Sequence, residues 1–150
     1  MPVRPRRLSL SFLLVLVVVG GLSACDPLST PNAGVTIRED GSLSIHICKP
    51  IESSKVLIEY KPAQKPWITI LEGDGNGRYT DIDVSNPPTG LTVTTAASPA
   101  LAAKGQVSVS LVAVSSQDPG ISVTFQVPSE GLPTSKWLTS TGELRDGPCK

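Results

Sequence analysis

The stretch Ile121-Ser122-Val123-Thr124-Phe125-Gln126-Val127 alternates apolar and polar side chains without a break. Successive side chains of a β-strand point to opposite sides of a sheet, so a period of two puts Ile121, Val123, Phe125 and Val127 on one face and Ser122, Thr124 and Gln126 on the other. One buried and one wet face is the mark of an antiparallel strand in a layered sheet. The same pattern recurs in Val107, Val109 and Leu111 around Ser108 and Ser110, and in Leu43, Ile45 and Ile47 around Ser44 and His46. Weaker runs occupy 35–38, 55–61, 67–71, 78–84, 91–95 and 136–144. Between them stand turn formers: Asp40-Gly41, Lys49-Pro50, Pro62 to Pro66, Gly73 to Gly77, Asn86-Pro87-Pro88, Pro99, Asp118-Pro119-Gly120 and Pro128 to Pro133. Helical spacing is nearly absent from residue 35 onward, and no fixed-period repeat points to a propeller or solenoid.

About seven to nine short strands with regular turn signals predict an all-β fold, an immunoglobulin-like β-sandwich of antiparallel strands over residues 35–150. The resemblance is to that architecture. Antibody-type domains join strands B and F by a disulfide and carry a Tyr two residues before the second Cys, whereas here Cys149 is next to the last residue and Gly147 occupies the Tyr position. With Leu43, Ile45 and Ile47 facing the core, Cys48 points outward at the end of its strand. It is therefore expected to staple down the Asp146-Gly147-Pro148-Cys149 tail rather than to bridge the two sheets.

The N-terminal end reads differently. Arg4, Arg6 and Arg7 precede an apolar stretch from Leu8 to Val19, followed by Gly20 and Gly21. This is the basic, apolar and small-residue layout of a secretory signal peptide, expected to be helical. The apolar stretch is about a dozen residues, short of the roughly 20 that cross a bilayer. Leu22-Ser23-Ala24-Cys25 then resembles the lipobox of bacterial lipoproteins at all four positions. The resemblance implies removal of residues 1–24, a diacylglyceryl group on Cys25, and attachment to the extracytoplasmic face of the cell membrane. Each buried methylene contributes about 0.8 kcal/mol, so two or more acyl chains hold durably where one holds marginally. Residues 25–34, with Pro27 and Pro31 and no hydrophobic period, read as a flexible tether. In an envelope of two membranes, Asp26 resembles the inner-membrane retention signal of enterobacterial lipoproteins.

The chain holds 3 cysteines, an odd count for an exported protein. A lipid on Cys25 leaves Cys48 and Cys149 free to pair. Loss of Arg4, Arg6 and Arg7 with the signal leaves the acidic residues in slight excess, which argues against nucleic acid and against an electrostatic hold on anionic lipid.

Catalytic groupings are sparse. The single histidine, His46, shares a predicted polar face with Ser44, and no Gly-x-Ser-x-Gly elbow accompanies it, so it reads as a surface histidine. Zinc or copper would need several His or Cys ligands, and no cofactor or metal is predicted. Asp74-Gly75-Asn76-Gly77-Arg78 begins like a calcium loop, but Tyr79 stands where the loop requires Gly and Ser85 where it requires Glu. Asn76-Gly77 reads instead as a hairpin turn. Lys55, Lys61 and Lys65 read as edge protection and Trp67 as core, with a patch for an anionic glycan as the alternative. The functional expectation is a non-enzymatic, lipid-anchored binding or scaffold module, with an envelope protein or glycan as partner. A small hydrolase using His46 and a calcium-stabilised adhesin domain are the alternatives.

Overall fold

The computed structural model describes residues 32–97, 101 and 104–149. The signal segment, Cys25 and most of the expected tether lie outside these residues. The ten elements among the described residues are all strands: β1 (Ala33–Ile37), β2 (Leu43–Ile47), β3 (Glu52–Pro62), β4 (Ile68–Arg78), β5 (Asp81–Asp83), β6 (Thr92–Ala96), β7 (Gly105–Ala113), β8 (Ile121–Val127), β9 (Trp137–Thr139) and β10 (Leu144–Arg145). They form two five-stranded sheets, β10-β9-β1-β2-β5 and β6-β4-β3-β7-β8. Every pairing is antiparallel.

The sandwich follows from the alternation. Val35, Ile45, Ile47, Ile82 and Leu138 of the first sheet face Val56, Ile58, Tyr60, Val107, Val109 and Phe125 of the second, and all are essentially inaccessible to solvent. Burying each such side chain contributes about 1.5–3 kcal/mol, and an aliphatic interior of this kind leaves the opposite faces polar. Strands β1, β2 and β5 in one sheet and β4, β3, β7 and β8 in the other occupy the A, B, E and C′, C, F, G places of an immunoglobulin-like sandwich. Strand β6 extends the second sheet beyond β4, and the β9–β10 hairpin extends the first beyond β1.

Local chemistry sets the turns. Asp40 Oδ1 accepts from the Ser42 amide at 2.9 Å, and Gly41 takes φ +83° between β1 and β2. The 128–136 connection is held to β1 because the Thr36 hydroxyl donates to the Pro133 carbonyl at 2.8 Å and the Ile37 amide donates to the same oxygen at 3.1 Å. Two expectations shift here. Strand β1 begins at Ala33, so the last two residues assigned to the tether belong to the sheet. The run 136–144 is two strands, folded back at a turn in which the Gly142 amide donates to Thr139 O.

A larger correction concerns 73–77. Asn76-Gly77 is no hairpin turn: it lies inside β4, with Ser53 opposite Gly77 and Lys55 opposite Asp74. The glycines recur every second residue because that face must receive other side chains. A Cβ on Gly73 would lie 2.7 Å from Leu91 Cγ, and one on Gly77 would lie 2.8 Å from Tyr79 Cζ. Leu91 and the buried Tyr79 thus fill the core at this end in place of side chains from β4.

Candidate functional site

Three groups of predicted residues can now be placed. Cys48 and Cys149 are brought together, with sulfurs 2.11 Å apart and Cα atoms 5.5 Å apart. Cys48 follows β2 on the outer side of the first sheet, and its amide donates to Asn32 O at 2.9 Å. The tail it holds lies across β1. A Cβ on Gly34 would come within 2.8 Å of Pro148 Cβ, so a side chain at 34 would lift the tail away.

His46 sits on the same outer face. The β2–β5 register sets it opposite Asp81, and His46 Nδ1 lies 2.7 Å from Asp81 Oδ1. The Trp137 ring stands edge-on to the imidazole, with centroids 6.1 Å apart. This is two thirds of a hydrolytic triad: a base and a carboxylate that orients it. Among the described residues no serine or threonine hydroxyl hydrogen-bonds to the imidazole. Asp81 is 70% exposed, and ion pairs in such a setting contribute about 0–1 kcal/mol.

Next to this pair, Arg38 and Asp83 form an ion pair, and Asp83 is 14% exposed. Burial acts against the charged Asp83 carboxyl. Hydrogen bonds from the Ser85 hydroxyl at 2.8 Å and the Ser85 amide at 2.9 Å, with the Arg38 contact, outweigh it and hold the group below its ordinary value. No group of three or more His, Cys, Asp or Glu side chains close enough to hold a metal occurs among the described residues.

The lysine and tryptophan expectations are overturned. Strand β3 lies between β4 and β7, so Lys55 and Lys61 are on an interior strand and guard no edge. Strand order is a tertiary property that local pattern does not encode. Lys55 is paired with Glu72 at 2.5 Å. Trp67 is 40% exposed rather than core, because it precedes β4 on the outer face of the second sheet, next to Lys61. Lys61 Nζ stands 5.7 Å from the centre of the Trp67 ring.

Beyond Lys61 the surface opens into a cleft of about 330 Å³, lined by Lys61, Gln64, Lys104, Gln106, Gln126 and neighbouring backbone. It lies where the β3–β4 turn meets the start of β7 and the end of β8. Gly105 lets the strands close over the core at this end: a Cβ at that position would fall 2.6 Å from Lys61 O and 2.8 Å from the buried Tyr60 ring. Gln106 Nε2 donates to Gln126 Oε1 at 3.2 Å. No acidic residue lines the cleft. Lys61 and Trp67 stand out in the sequence, whereas Lys104 does not, because its approach depends on the β3–β7 pairing of Pro62 with Gly105. No known protein family, curated protein or solved structure matches the chain.

Proposed function

We propose that this chain is a lipid-anchored, extracytoplasmic β-sandwich that acts as a non-catalytic binding module of a bacterial cell envelope. One observation carries the reading: Cys48 and Cys149 lie at bonding distance, which leaves the third thiol, Cys25, as the odd one, and Cys25 closes Leu22-Ser23-Ala24-Cys25. Disulfides persist in oxidising compartments outside the cytoplasm, and an odd thiol in such a chain requires a separate fate. A lipid supplies that fate. The tether before β1 then holds the sandwich at the membrane surface, with binding as its work.

Envelope fractionation tests this. The chain is expected in the membrane fraction, resistant to high salt and released by detergent, with Cys25→Ala moving it to the soluble extracytoplasmic fraction. Recovery of the unmodified chain in the cytoplasm would overturn the reading.

The pair His46–Asp81 favours one second reading, a small hydrolase whose nucleophile is supplied by a residue that approaches the imidazole during turnover. Hydrolysis of an envelope ester or amide by the purified chain, lost in His46→Ala and in Asp81→Asn, would establish that reading and displace the binding module.

A further inference from the structure

We infer that the cleft between the β3–β4 turn and the β7–β8 strands binds an acidic saccharide, a sugar chain bearing carboxylates. This deepens the binding-module reading and rests on it only for where the ligand is met. Four features converge on the site.

The first is unpaired positive charge. Arg38, Lys55, Lys136 and Arg145 each have a carboxylate partner, whereas none of the ion pairs among the described residues involves Lys61, Lys65 or Lys104. Lys61 and Lys104 both line the cleft, and Lys65 lies in the turn that walls it. Two ammonium groups that form no ion pair, in a concave site lined by no carboxylate, favour an anion, since charge-assisted hydrogen bonds are the stronger kind.

The second is an amphipathic platform. Trp67 offers 40% of its surface beside Lys61, where a ligand that enters the cleft can cover it. The apolar face of a pyranose ring fits an indole, and its hydroxyls need donors and acceptors together. The Gln106–Gln126 pair supplies both, since after its internal bond it still has an amide donor and an amide acceptor to offer.

The third is strain. Gln64 at φ +61° and Lys104 at φ +67° are the two non-glycine residues with positive φ among the described residues, and both are in the wall of this cleft. Left-handed backbone at such residues costs roughly 1–3 kcal/mol and collects at ligand sites, where it aims a side chain.

The fourth is a continuation for a polymer. From Gln106 and Gln126 the outer face runs on as Ser108 opposite Thr124 and Ser110 opposite Ser122, a track of hydroxyls on β7 and β8. Glu59 and Glu72 lie further along this face, so attraction for the anion is confined to the cleft end. A lone phosphate would use the lysines and leave Trp67 and the glutamines idle. A saccharide uses all of them.

The test is titration calorimetry on the full chain, extracted in detergent, with hexagalacturonate, maltohexaose and inorganic sulfate as probes. The chain is expected to bind hexagalacturonate more tightly than either control by about tenfold or more. Lys61→Gln with Lys104→Gln, and separately Trp67→Ala, should each weaken binding by about tenfold, while Lys61→Arg keeps it. Lys49→Gln, which removes a lysine that does not line the cleft, should change nothing. Trp67 and Lys104 are exposed and Lys61 is half-buried, and circular dichroism will confirm that each variant is folded. Absence of binding by the folded chain overturns the proposal, as does binding undiminished by loss of both lysines. Sulfate binding as tight as hexagalacturonate, with Trp67→Ala without effect, would reduce the site to ion exchange and also overturn it. None of these outcomes depends on whether Cys25 carries a lipid.

Discussion

Gly75→Ala distinguishes the strand role of the 73–77 segment from a turn. A Cβ at position 75 would lie 2.2 Å from the Gly90 carbonyl oxygen and 2.9 Å from Tyr79 Oη, where ordinary contacts begin at 3.4 Å. The first obstacle is backbone in the loop that turns at Pro88–Leu91, so no rotamer change removes it, and the loop must retreat by more than an ångström. Overpacking of this kind costs about 1–3 kcal/mol, and an obstruction by backbone belongs at the upper end. Loss of unfolded-chain entropy on replacing glycine returns about 0.4–1 kcal/mol. The net expectation is a loss of about 2 kcal/mol or more, visible as a lower urea midpoint with unchanged slope. Gly147→Ala is the control: nothing lies within 4 Å of a Cβ there, and its φ is not in the left-handed range, so its midpoint should stay within error. If Gly75→Ala matches that control, the packing of Tyr79 and the 88–91 loop on β4 is wrong. Asn76-Gly77 would then be free to act as a hairpin turn.

Other consequences are more compact. Cys149→Ser, or reduction, opens a bond that spans 101 residues, for which chain entropy gives about 4.7 kcal/mol as an upper figure and 2–4 as the typical loss. The native fold should persist with only the tail freed, and a loss under about 1 kcal/mol would refute the bond's role. Asp83 has a carboxyl held below its ordinary value in the fold, so its contribution is complete above the unfolded value near pH 4 and disappears as pH falls through the lower folded value. Asp83→Asn should therefore lower stability at pH 7 and converge with the parent in acid once the carboxyl is protonated in the fold, and parallel stability curves would contradict this.

The fold was legible because its strands alternate cleanly. Ile121–Val127, Leu43–Ile47 and the centre of Gly105–Ala113 have the faces that the side-chain pattern requires. The disulfide was legible for the same reason, since outward-pointing Cys48 can reach a tail that crosses the sheet face. What failed depended on neighbours distant in sequence. Asn76-Gly77 has the local chemistry of a turn, and only Tyr79 and Leu91, arriving from elsewhere, turn the glycines into a packing surface. Lys61 resembled an edge lysine because nothing local reveals that β7 covers the far side of β3. Lys104 had no signal of its own. Its partnership with Lys61 exists only once Pro62 is set opposite Gly105.

The anchoring claim is tested most directly by metabolic labelling with a fatty-acid analogue, followed by mass spectrometry of the mature N-terminus. The account predicts a chain that begins at Cys25, bears diacylglyceryl on its sulfur, and loses all label in Cys25→Ala. A mature chain that begins elsewhere, or label that persists in Cys25→Ala, would contradict it.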